Sequence, residues 1–127
     1  MLSMGEYFDN AKGLGVLATA DSKGKVDVAV FSRPHVVDKE TVAFVMADRL
    51  SHANLQSNPQ AAYLFKESGE KYIGKRLFLT KIREEQDTDL LYELQRRNYP
   101  RDEKDPKYLV FFHIDEVLPL IGSGEKK

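Results

Sequence analysis

The chain has 127 residues, enough for one domain with a real core, and its 42% hydrophobic and 31% charged residues are ordinary globular proportions. Lys and Arg (19) nearly balance Asp and Glu (20), for a formal net charge of -1, which argues against nucleic acid or an anionic membrane as the main partner. Cysteine is absent, so disulfides, thiolate catalysis and cysteine-ligated metals are excluded.

No apolar run approaches the ~20 residues that span a bilayer. The start, Met-Leu-Ser-Met-Gly-Glu, lacks the basic-then-apolar pattern of a signal peptide, so the expected location is cytoplasmic. No internal repeat, low-complexity tract or linker divides the chain, and a single domain over residues 1–127 is expected.

Residues 1–13 read as an N-terminal helix segment. Ser3 stands as N-cap, Glu6 three positions on matches a capping box, Tyr7, Phe8 and Ala11 form the apolar stripe, and Gly13 ends it. Leu14 to Ala20 is a strand whose composition predicts burial on both faces. Asp21 to Lys25 is a turn, and Val26, Val28 and Val30 alternating with Asp27 and Ala29 complete a hairpin. Phe31 to Val37 continues extended, with Pro34 suggesting an edge or a bulge. Thr41 to Ala47 is the next strand, and a brief helix over Ser51 to Ser57 ends at Asn58-Pro59.

Ala61 to Phe65 is a fourth strand and Tyr72 to Arg83 a fifth. Glu84, Glu85 and Asp87 read as a solvated turn leading into a helix over 87–98, with Leu90, Leu91 and Leu94 inward and Glu93 and Arg97 paired outside. Tyr99 to Pro106 is a charged loop, Tyr108 to Ile114 a sixth strand, and 120–127 a frayed tail. The fold class is therefore mainly β (α+β): a six-stranded antiparallel barrel with short flanking helices, closed so that no edge is exposed.

Two segments could carry chemistry. In the turn Ala47-Asp-Arg-Leu-Ser51, Ser51 caps a helix whose first N–H groups lack partners, and Arg49 and His52 flank it, which suits a phosphate. The plain alternative is a serine cap between two solvated basic residues. At Ser32-Arg33-Pro34-His35 a valine-rich strand turns polar, and the Arg33 guanidinium could fork onto a phosphate or simply lie on the surface. Lys75 and Arg76 form a third basic point after Gly74, which reads as a bulge or a close approach of another backbone, and they must face opposite ways on a strand. His35, His52 and His113 show no metal spacing, and neither a glycine-rich phosphate loop nor a nucleophile elbow is present.

Gly15-Val-Leu-Ala-Thr19, Ala29-Val-Phe-Ser-Arg33, Val42-Ala-Phe-Val-Met46 and Asn54-Leu-Gln-Ser-Asn-Pro59, in that order, resemble the pyridoxamine 5′-phosphate oxidase-like family, the FMN-binding split barrels, over residues 14–82. The resemblance implies a split β-barrel and a homodimer with FMN at its interface. It places Phe31, Ser32 and Arg33 beside the ring or ribityl chain, and Arg49, Ser51 and His52 at the phosphate, with Asn54 bracing the turn. Arg33 or Lys75 would be the cation near the flavin ring. The Arg-x-His-type substrate motif of true pyridoxamine-phosphate oxidases has no counterpart, so vitamin B6 oxidation is not expected.

The implied function is an FMN-dependent oxidoreductase acting between a small-molecule electron donor and acceptor, with the flavin carrying the chemistry. The alternatives are a non-enzymatic flavin-binding or electron-carrier module, and a relative that binds haem or F420, with His52 or His113 as candidate haem ligands.

Overall fold

The computed structural model describes residues 3–95 and 105–122. Helix α1 (Met4–Asn10) starts at Ser3, whose hydroxyl accepts the Glu6 N–H, as the capping-box spacing predicts. Then follow β1 (Gly13–Ala20), β2 (Val26–Val30), β3 (His35–Asp38), β4 (Thr41–Ala47), α2 (Leu50–Ser57), β5 (Gln60–Glu67), β6 (Gly74–Gln86), α3 (Asp89–Leu94) and β7 (Lys107–Pro119).

All strands join one antiparallel sheet in the order β2-β1-β5-β6-β7-β4-β3. The fold is mainly β, as expected, with two corrections. The described residues form seven strands rather than six, because the chain breaks at Ser32 to Pro34, and β3 pairs with β4 instead of prolonging β2. The sheet is also not closed: β2 and β3 end it at opposite sides, so this is a split barrel.

The sheet curls round a core of Leu17, Val42, Phe44, Tyr63, Phe65, Leu77, Leu79, Val110 and Phe112. Helix α1 drops Phe8 into it, edge-on to Tyr63 and Phe65. Outside the β4–β7 pair, a second cluster of Ala43, Leu109 and Phe111 is covered by Leu91 of α3. Leu90 does not join it: the side chain expected to face inward is 41% exposed, because α3 is short and offers a single residue, Leu91, fully to the sheet. Leu94 is half-buried there. The expected end of that helix beyond Gln95, the Glu93–Arg97 pair, most of the charged loop and the tail from 123 lie outside the described residues.

Other boundaries moved. Gly13 does not stop α1; Ala11 is its C-cap, and Gly13 opens β1 where an added Cβ would lie 2.1 Å from the Lys66 carbonyl oxygen. Gly74 has the same cause, its Cβ falling 1.8 Å from the Phe65 carbonyl oxygen, which is the close approach its position suggested. Strand β6 runs on to Gln86, so Glu84 and Glu85 belong to a strand and not to a turn.

Strand β1 is not buried on both faces. Leu17 and Thr19 face the core, while Val16, Ala18 and Ala20 face outward. Directly opposed residues of an antiparallel pair share a face. The register therefore aligns Val30, Val16, Leu64, Arg76 and Leu118 in one outward row, and Val28, Ala18, Ala62, Phe78 and Glu116 in the next. Across β2, β1 and β5 these rows hold no charge. Val26, Val28 and Val30 are 75%, 67% and 62% exposed.

Candidate cofactor site

The site begins where β4 ends. The chain turns through Asp48 and Arg49 into α2, with Arg49 as N-cap and without a side-chain capping bond. Ser51, read from sequence as the cap, is instead the second helical residue and is buried. The first N–H groups of α2 still lack i−4 carbonyls and carry the positive end of the helix dipole. Beside this end of the helix lies a cleft of about 240 Å³. Arg49, Leu50 and Ser51 line it on this side, with Ala47 behind them.

The opposite wall is Asp27 and Ala29 of β2 with Phe31 just past its end, and Val30 at the rim. Phe31 is held from behind. Its carbonyl accepts from the Tyr63 hydroxyl at 3.2 Å, a bond that passes over Gly15, where an added Cβ would sit 1.9 Å from that hydroxyl and 2.4 Å from the carbonyl oxygen. Gly15 thus lets a buried tyrosine reach across β1 and fix the residue beside the cleft. The Phe31 ring meets Phe44 edge-on, joining the cleft wall to the core.

Helix α2 is tied at both sides. Asn54 Nδ2 donates to the buried Thr19 hydroxyl at 3.0 Å, and Asn58 Nδ2 to the Asp21 carbonyl at 3.3 Å. On the other side the His52 ring stacks on Tyr108, centroids 3.7 Å apart, with Nε2 2.9 Å from Glu84 Oε2. Glu84 Oε1 also accepts from Lys81 Nζ at 2.5 Å and Gln56 Nε2 at 2.9 Å. Burial pushes the Glu84 carboxyl up, but the bonds from Lys81, Gln56 and His52 prevail and hold it at about 2.

Of the residues singled out from sequence, Phe31, Arg49 and Ser51 converge on the cleft. Ser32 is exposed in the β2–β3 connection. Arg33 reaches the end of α1, where Nη1 donates to the carbonyls of Phe8 at 2.8 Å and Ala11 at 2.7 Å. Lys75 also serves α1, its ammonium 4.6 Å from the centre of the Tyr7 ring. His52 faces β6 and β7, and exposed His113 places Nδ1 2.8 Å from Asp115. Asp27 was missed: its place in the valine alternation signals that it faces opposite to the valines, but only the register shows that this is the cleft side.

The cleft thus combines helix N–H groups and one arginine against one carboxylate, Asp27. That arginine is shared, since Arg49 Nη1 also lies 3.6 Å from Asp105. Such a site can hold an anion at the helix end and an apolar group against Phe31 and Val30. Among the described residues, no group of His, Asp or Glu is placed to hold a metal ion.

Thirty chains of solved structures match this fold, among them three that are each under 20% identical. An FMN-binding protein of Syntrophomonas wolfei matches with a TM-score of 0.71 at 16% identity, over 94% of this chain and 85% of its own. An F420 reductase matches with a TM-score of 0.67 at 16% identity, over 92% and 98%. A protein assigned as a pyridoxamine 5′-phosphate oxidase from Lactobacillus delbrueckii matches with a TM-score of 0.62 at 19% identity, over 87% and 86%. The fold is the pyridoxamine 5′-phosphate oxidase-like split barrel. No family model matches the sequence, and no curated protein does. The likeness therefore resides in the fold, and among the described residues no helix is long and apolar enough to cross a membrane.

Proposed function

We propose that the cleft between β2 and α2 binds the phosphate end of FMN, and that the chain is an FMN-dependent oxidoreductase acting between small molecules. The observation that carries this reading is the first turn of α2 opening onto a cleft walled by Phe31, in a fold shared with an FMN-binding protein. The residues fit the group in part. The N–H groups of α2 with Arg49 and Ser51 suit a phosphate, and the cleft suits a ribityl chain. At about 240 Å³ it is smaller than the roughly 300–1,000 Å³ of whole cofactor sites, so the ring must extend past Val30.

That need for further cover supports a homodimer. The outward face of β2, β1, β5 and β6 begins at Val30, on the rim of the cleft, and no helix of the described chain covers it, unlike the outer face of β4 and β7. Val26, Val28, Val30, Leu64 and Phe78 lie exposed on it as one contiguous apolar patch, and the natural occupant is the same face of a second copy. When bound, the flavin would supply electron or hydride transfer. The protein's part is to seat the phosphate, pack Phe31 and Val30 against the bound molecule and exclude water.

The test is calorimetric titration with FMN and riboflavin. Hydrogen bonds to a charged partner are worth roughly 1.5–3 kcal/mol each, so riboflavin, which lacks the phosphate, should bind at least a hundredfold more weakly. Equal affinities would refute the site. The F420 reductase match favours a second reading, a deazaflavin in the same cleft. Parallel titration with F420, followed by anaerobic mixing of the loaded protein with NADH and NADPH, separates these ligands and separates an enzyme from an electron carrier.

A further inference from the structure

We infer that Glu84, on the far side of α2 from the cleft, is a positioning residue that sets the cleft's preference for phosphate; this rests on the cofactor reading above. Glu84 projects from β6 with its side chain only 23% exposed, and it grips α2 at two points one turn apart, His52 and Gln56. Because this carboxyl is held ionised, it can only accept, so the hydrogen of the His52–Glu84 bond lies on Nε2. That nitrogen cannot then accept from Gln56, 3.1 Å away. The amide hydrogens of Gln56 go instead to Glu84 Oε1 and to the His52 carbonyl oxygen, 2.9 and 3.1 Å distant. Tyr108 closes the arrangement by stacking flat on the same imidazole.

His52 directly follows Ser51, so whatever fixes its ring fixes the turn that lines the cleft. The opposite face of α2 is anchored by Asn54 on Thr19. Remove the Glu84 grip and α2 keeps its anchors at Asn54 and Asn58, both towards its C-terminal half, while its first turn, held only by the stacking of His52 on Tyr108 and the nearby Asp48 carboxylate, can shift relative to Phe31. Only a phosphate group depends on that turn. The loss therefore falls on the phosphate-dependent share of binding and spares the rest. Outer partners that orient ligand-holding groups typically carry ten- to a hundredfold in affinity.

FMN and riboflavin are titrated against wild type, Glu84→Gln, Glu84→Ala and the neighbouring Glu85→Gln. Both Glu84 variants should lower FMN affinity about tenfold with riboflavin within about twofold, and Glu85→Gln should change neither. His52→Gln, which retains a donor for Glu84, should preserve the preference that His52→Ala loses. Amide hydrogen exchange without ligand gives an independent readout: residues 50–57 should exchange faster in Glu84→Gln, while β5 does not change. An unchanged FMN-to-riboflavin ratio in folded Glu84→Ala, or unchanged exchange across α2, overturns the inference. Equal binding of the two flavins by wild type would instead overturn the cofactor reading, leaving exchange to judge the anchoring alone.

Discussion

Asn54 and Thr19 meet inside the protein: the side-chain amide of one donates to the hydroxyl of the other at 3.0 Å, and both residues are at least 95% buried. This bond ties α2 to β1 across the end of the barrel. Asn54→Leu leaves the Thr19 hydroxyl buried without its donor and should cost about 1–3 kcal/mol in denaturant melts. Pairing it with Thr19→Val should recover part of that loss, since both polar groups are then gone.

Asp27 opposes the anion that the cleft would hold. Asp27→Asn removes a like charge from the wall facing Arg49 and should tighten FMN several-fold while leaving riboflavin nearly unchanged. Arg49→Ala should act in the opposite direction, tenfold or more, with Lys23→Ala in the β1–β2 turn as a control for long-range attraction. Titration of both flavins against each variant measures it, and identical ratios for Asp27→Asn and wild type would place the phosphate elsewhere.

The valine row gives a test of assembly. Light scattering at micromolar concentration should report a dimer for wild type, with an interface of at least about 1,600 Å². Val28→Lys places a charge at the middle of edge strand β2 on the outward face, where the native side chain is 67% exposed, and should yield a folded monomer. A monomeric wild type would mean that this face serves something else.

Leu91 and Leu90 are neighbours with opposite fates, 0% and 41% exposed. Leu91→Ala should cost about 2–5 kcal/mol by leaving a cavity against Phe111 and Leu109, whereas Leu90→Ala should cost under about 0.5 kcal/mol. Equal losses would mean that the exposed leucine has a partner in solution.

Acid should expose the Glu84 network. Its carboxyl is held at about 2 against an ordinary 4.5, so the folded state binds the proton less well than the unfolded chain. A depressed carboxyl stabilises above the unfolded value and loses that contribution as the pH falls towards the folded one. Between pH 4.5 and 2, wild type should therefore lose more stability than Glu84→Gln, by about 1 kcal/mol after solvent screening. Parallel pH profiles for the two would show that the carboxylate is not held by Lys81, Gln56 and His52.

Local chemistry determined much of this protein in advance. The Ser3 cap, the valine hairpin, the stop at Asn58-Pro59 and the glycine at 74 depend on neighbours in the chain or on the absence of a side chain. Together with the ordered motifs of residues 14–82, they pointed to the split barrel, and the turn at 47–51 pointed to the cleft. What only the tertiary structure decided depends on pairing across the sheet. Period-two alternation separates Asp27 from the valines but cannot say which set meets the core, and here the valines face out because the β1–β2 register turns Leu17 and Thr19 inward. Arg33 and Arg49 are equal cations in sequence. The fold directs one to the carbonyls that end α1 and the other to the cleft. Glu84, read as part of a solvated turn, acquires its partners from a helix some 30 residues earlier, and a contact of that range leaves no local signal.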